Sequence, residues 1–191
     1  MNTACGQPCK KMVGKKTAGG KTAATEMARR KPPFENGRNG YIINLDDDER
    51  HFIRRLVGEV RELLTSMPVG DPKMARLFPP AYTHSTGEDA DAETEYQRLM
   101  RDELVASRLD SIGRIDELLA DTSSSTMSGE QLNAFVVSLN SVRLILGTIL
   151  DITDEDDDED DDPDSPLAAE MAMYHFLSWL LDSAVTALMQ G

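Results

Sequence analysis

From Ser128 to Ile149, apolar residues recur every three or four positions: Leu132, Phe135, Leu139, Val142, Leu146 and Ile149. That spacing puts all six on one side of an α-helix, and a side so apolar has to be covered. The period returns three more times. Phe52, Leu56, Val60, Leu63 and Met67 mark a helix over about 46–67. Tyr96, Leu99, Leu104, Ile112, Ile115 and Leu119 mark the inner face of a helix over about 90–120. Met171, Tyr174, Leu177, Leu181, Val185 and Leu188 mark a last helix that starts at Ser165. Four such stripes with short connections predict a mainly α fold, a helical bundle of about four main helices.

The flanking residues agree with these boundaries. Asp46 with Glu49, and Ser128 with Gln131, have the spacing of capping boxes, and Met127 can staple onto Leu132. Asp47 and Asp48 suit the positive end of a helix dipole. Pro68 and Gly70 stop the first helix, and Pro166 takes the favoured first position of the last. Gly113 weakens the middle of its helix by about 1 kcal/mol relative to Ala. The stretch DTSSSTMSG, 121–129, reads as a linker. Ahead of the helices, PFENGRNGYIINL (33–45) holds Asn36-Gly37 and Asn39-Gly40 between strand-forming residues, which predicts a small N-terminal β-hairpin.

Charge divides the chain. Residues 1–31 hold eight Lys or Arg against Glu26 and carry +7, while the remainder carries −21, giving the net −14. This predicts a disordered basic tail, 1–31, and a single acidic domain, 32–191. An acidic body argues against a nucleic-acid interface, which needs a basic face for the phosphate backbone. The basic N-terminus lacks the apolar core of a signal peptide. No stretch reads as the roughly 20 consecutive apolar residues of a membrane span. Cys5 and Cys9 both lie in the tail, so no disulfide framework is expected for the domain, and a reducing cytoplasm is the expected location. The low-complexity Lys/Gly/Thr/Ala composition of 1–26 raises the expectation that Met27 is the true start and 1–26 a gene-model extension.

Two local motifs in the tail fall short. Gly20-Lys21-Thr22 resembles the end of a P-loop, but the position five before Gly20 is Lys15, and no apolar strand precedes it. Cys5 and Cys9 supply two thiols where zinc takes four ligands. The run DITDEDDDEDDDPD, 151–164, is expected to be an exposed, self-repelling loop between the last two helices. It lacks the central glycine of an EF-hand. His51, His84 and His175 are scattered, and no HExxH, no ExxH pair and no Gly-x-Ser-x-Gly elbow occurs. No catalytic residue, metal or cofactor is therefore assigned.

The segment DPKMARLFPPAY, 71–82, is the least ordinary in the chain. Asp71 can cap a short turn with Pro72 in its first position, running to about Leu77. Phe78 precedes a proline and is pushed out of helical geometry. Leu77, Phe78 and Tyr82 read as side chains pinning a crossing segment to the bundle.

With Glu95-Tyr96-Gln97-Arg98-Leu99, with Leu139, Asn140, Arg143, Leu144, Leu146, Gly147 and Thr148, and with Leu177, Trp179 and Leu180, this segment makes an ordered set of four motifs. In that order the chain, over about 33–190, resembles an actinobacterial family of unknown function. The resemblance implies no established activity. It does imply a gene neighbourhood, often beside a Clp protease adaptor, and hence the expectation of a protein partner, with a Clp system component as the candidate.

The polar members of the motifs suggest an inter-helix clamp. Asn140 and Arg143 share one helical face and Glu95 and Arg98 another. If the faces meet, Glu95 would hold Arg143 in a bidentate bond, and Asp71 would take Arg76 or Arg98. The expected role is a non-enzymatic interaction or regulatory protein, with Asp71, Arg76, Phe78, Tyr82, Glu95, Arg98, Asn140, Arg143 and Trp179 as the candidate residues. The rival reading makes Glu95, Arg98 and Arg143 the site of an enzyme or a small-molecule or anion sensor.

Overall fold

A computed structural model describes residues 31–68, 70–79, 88–152 and 165–191, with the backbone alone for 88–90. The basic tail, Tyr82 and most of the acidic run lie outside the described residues. Among the described residues four helices carry the fold: α1 (Asp47–Ser66), α2 (Glu88–Ala120), α3 (Gly129–Ile149) and α4 (Ala168–Met189). Three short strands accompany them: β1 (Phe34–Gly37), β2 (Gly40–Ile43) and β3 (Thr126–Met127). The mainly α bundle with an N-terminal hairpin is therefore the observed architecture.

Both capping boxes form. The Asp46 carboxylate accepts from Glu49 N at 2.8 Å while Glu49 accepts from Asp46 N at 2.9 Å. Ser128 and Gln131 exchange bonds in the same way at the head of α3. The last helix starts later than its sequence suggests. Ser165 accepts the amide of Leu167 on its hydroxyl and that of Ala168 on its carbonyl. Residues 165–167 thus form a turn, and Pro166 is outside the helix.

The hairpin pairs Phe34 with Ile43 and Gly37 with Gly40, so Arg38 and Asn39 form the turn and Asn36 lies in the strand. The linker between α2 and α3 is not simply a connection. Its Thr126 and Met127 add antiparallel to β2, making a three-stranded sheet in the order β1-β2-β3. Met127 is buried. Gly40 makes this approach possible: its φ is +127°, and a Cβ there would stand 2.6 Å from the carbonyl oxygen of Met127.

α3 is the central helix, in contact with α1, α2, α4, β2 and the turn after α1. By length and composition it could cross a membrane, but its buried flank of Leu132, Phe135, Leu139, Val142 and Leu146 is that of a core helix. Phe34 meets Phe135 edge-on at 4.7 Å, which seats the sheet on α3. Two apolar stripes are rotated from their expected positions. α1 buries Ile53, Leu56, Val57, Val60 and Leu64, leaving Phe52, Leu63 and Met67 half-buried. α4 buries Leu177, Leu180, Ala184 and Ala187, while Val185 is exposed.

One buried cation has no counterpart in the apolar patterns. Arg50 is 3% exposed and donates to the carbonyls of Leu45 at 3.3 Å, Asp121 at 3.4 Å and Ser124 at 2.8 Å. It ties the first turn of α1 to the chain crossing from α2 to α3. A buried guanidinium is tolerated because its donors meet three backbone acceptors.

Candidate functional site

The segment after α1 folds as its composition dictates. The Asp71 carboxylate accepts from Lys73 N at 2.9 Å and caps a single 3-10 turn, Pro72–Met74. Asp71 therefore serves its own turn and does not take Arg76 or Arg98. The segment buries Met74 within the turn and Leu77 and Phe78 after it, which pins it to the bundle.

Phe78 draws two cations from α2. The guanidinium carbon of Arg101 lies 4.4 Å from its ring centre, and that of Arg108 lies 5.3 Å away. Arg108 also donates to the carbonyl of Leu77 at 3.2 Å. Its Nε is buried with no hydrogen-bond partner among the described residues, and burial pushes its pKa down. Beside Phe78 is a hollow of about 210 Å3 lined by Gly70, Asp71, Met74, Gln97 and Arg101.

Arg76 and Tyr174, the ring that Arg143 covers, both lie beside Gly147. Arg76 donates to the carbonyl of Ile152, just past the end of α3. A Cβ on Gly147 would stand 3.0 Å from Arg76 Nη1 and 3.4 Å from Tyr174, so the glycine gives room for both side chains. Arg143 stacks over the Tyr174 ring at 4.7 Å and donates from Nε to the hydroxyl of Ser178 at 2.9 Å. A polar clamp between α3 and α4 is present, but its partners are Ser178 and Tyr174, not Glu95.

Glu95 has a different partner. Arg98 donates to both of its oxygens, at 3.0 and 2.9 Å, one helical turn away. The hydrogen bond to Arg98, followed by its charge, holds the Glu95 carboxyl below its ordinary value and raises the Arg98 pKa. Because each of these groups has its own partner, Glu95, Arg98 and Arg143 do not assemble into the single cluster expected. Asn140 is half-buried on α3.

The first half of α2 departs furthest from its expected burial. Tyr96 is 37% exposed and Leu99 is 60% exposed, whereas Ile112, Ile115 and Leu119 further along the same helix are buried. The Glu95–Arg98 pair flanks this exposed apolar pair.

Trp179 lies on α4, half-buried and 5.8 Å from the Phe176 ring. It lines the larger of the two cavities described here, about 360 Å3, between β1 and α4. Among the described residues no group of three or more His, Cys, Asp or Glu is placed to hold a metal ion.

These features define a four-helix bundle with a small sheet at one side and a surface helix segment that carries motif residues outward. The chain belongs to the DUF2017 family, a domain of unknown function, whose model matches residues 29–188. No curated protein and no solved structure matches it.

Proposed function

We propose that this protein is a non-enzymatic interaction protein with a regulatory role in the cytoplasm, and that it meets a partner protein through the first half of α2. The observation that carries this reading is Leu99. It lies 60% exposed with Tyr96 one turn away, on a segment where Glu95, Tyr96, Arg98 and Leu99 of the family-like motif are exposed. Exposed apolar residues grouped on a charged helix mark a protein contact more often than a lone one does. The segment 88–103 holds seven acids against Arg98 and Arg101. The fitting partner has an apolar recess with a basic rim. A component of Clp-dependent proteolysis is the first one to test, given the gene neighbourhood that the resemblance implies.

The test compares the tagged protein with its Leu99→Glu variant in affinity purification from native extract, read by quantitative mass spectrometry. Leu99 is too exposed for this change to unfold the bundle, and matching thermal melts check that. A Clp component retained by the parent and lost from the variant supports the proposal. Identical sets of proteins on both overturn the assignment of the surface, and a parent that retains no protein overturns the interaction reading.

A further inference from the structure

The cavity between β1 and α4 measures about 360 Å3, within the range of peptide side-chain and small-ligand sites. Pro32 and Glu35 form one wall, and Trp179, Asp182, Ser183 and Thr186 form the other. Three properties of this lining point to one kind of ligand. Glu35 and Asp182 both line this space, and neither has an ion-pair partner among the described residues. The Trp179 indole supplies an aromatic wall, steadied by Phe176.

The third property is the state of Ser183. Ser138, Ser141 and Ser178 each donate their hydroxyl to the carbonyl four residues back, at 2.8, 2.8 and 2.9 Å. Ser183 makes no such bond. It is 9% exposed, and its oxygen accepts the amide of Phe34 at 3.3 Å. Among the described residues its hydroxyl has no acceptor, and it lines the cavity, where a ligand oxygen can accept that hydrogen bond.

We propose that this cavity binds a basic peptide segment. A Lys or Arg side chain lies between Glu35 and Asp182 with its charge over the Trp179 ring, and a main-chain carbonyl of the peptide accepts from Ser183. The residues from 32 onward carry −21, so a basic peptide is also favoured on approach. The site uses no residue of α2 and does not rest on the docking face assigned there.

Trp179 is the chain's one tryptophan, so its fluorescence reports this cavity directly. The full-length protein is titrated with an acetylated, amidated tetralysine peptide, with the same peptide carrying acetyl-lysines, and with putrescine. The proposal expects a saturable fluorescence change with tetralysine and none with the acetyl-lysine form. Binding should weaken about tenfold in Asp182→Lys but only about twofold in Glu117→Lys, an exposed acid on α2. Equal weakening by the two variants would mean general attraction to an acidic surface and would overturn the site. Putrescine binding as tightly as the peptide would overturn the peptide assignment, and an unchanged fluorescence with tetralysine would overturn both.

Discussion

Arg50 Nη2 donates to the carbonyl of Ser124 at 2.8 Å across 74 residues of chain. With its bonds to Leu45 and Asp121, this one side chain holds the sheet, α1 and the α2–α3 crossing in register. Arg50→Met keeps the apolar stem and removes all three bonds, and among the described residues only the Asp121 carbonyl keeps a second donor, Ser124 N. The expected loss is about 3 kcal/mol. For a domain of this size that lowers Tm by about 6–12 °C. Arg54→Met removes a half-exposed pair with Asp116 and should cost about 1 kcal/mol or less. Calorimetry on the two variants tests the contrast, and equal melts would remove the structural role given to Arg50.

The glycines should divide by their surroundings. Gly40→Ala forces a Cβ against Met127 O at a positive φ and should destabilise by roughly 1–3 kcal/mol. The amide of Ile43, bonded to Ser125 O, should then exchange faster with solvent. Gly58→Ala and Gly113→Ala meet nothing within 4 Å and lie inside helices, so each should stabilise by up to about 1 kcal/mol. Hydrogen exchange and denaturant melts read both predictions.

Arg143→Met removes the stack on Tyr174 and the bond to Ser178, while Met retains much of the packing volume. An expected loss of about 1–2 kcal/mol follows from one charged hydrogen bond and one cation–ring contact, partly exposed. Arg98→Met, by contrast, should leave the melt unchanged, because the Glu95–Arg98 pair is an exposed one within a single helix. If Arg98→Met proved the more damaging of the two, the clamp would be misassigned.

Asp121 gives a prediction in pH. The Ser123 hydroxyl, then the backbone amide of Ser123, hold its carboxyl below the ordinary carboxylate value, with a smaller contribution from Arg50. A lowered folded pKa favours the ionised, folded form. Its contribution is present above the unfolded pKa and is lost as pH falls through the lowered folded one. Carboxyl NMR should show a depressed midpoint for Asp121 that rises in Ser123→Ala. An unmoved midpoint would assign the shift to another cause.

Much of this architecture is legible in the residues alone. The periods gave the helices, and Asp46 and Ser128 marked two helix starts because capping geometry needs only local spacing. The faces were harder to read. α4 is apolar nearly all round, so the large residues Leu181 and Val185 drew the stripe away from Ala184 and Ala187, whose small side chains are the buried ones. Tyr96 and Leu99 follow the helical period but lie where no described element covers them. Arg50 could not be found by pattern, since arginine is ordinarily a surface residue and its acceptors are backbone groups distant in sequence. The expected Glu95–Arg143 bond required the two helices to present those faces to each other. A nearer partner, one turn away on the same helix, satisfies Glu95 instead.

Phe34 N reaches Ser183 Oγ across 149 residues, and Asn36 Nδ2 reaches the carbonyl of Gln190 across 154. The hairpin at the front of the domain is thus closed by its final helix. During synthesis β1 emerges before each of α1 to α4, and Phe34 finds Phe135 on α3 before the last part of its shelter, α4, is made. Closing so long a loop comes late in folding. The two ends of the domain are thus bonded to each other, so the hairpin reaches its native contacts only once α4 is available.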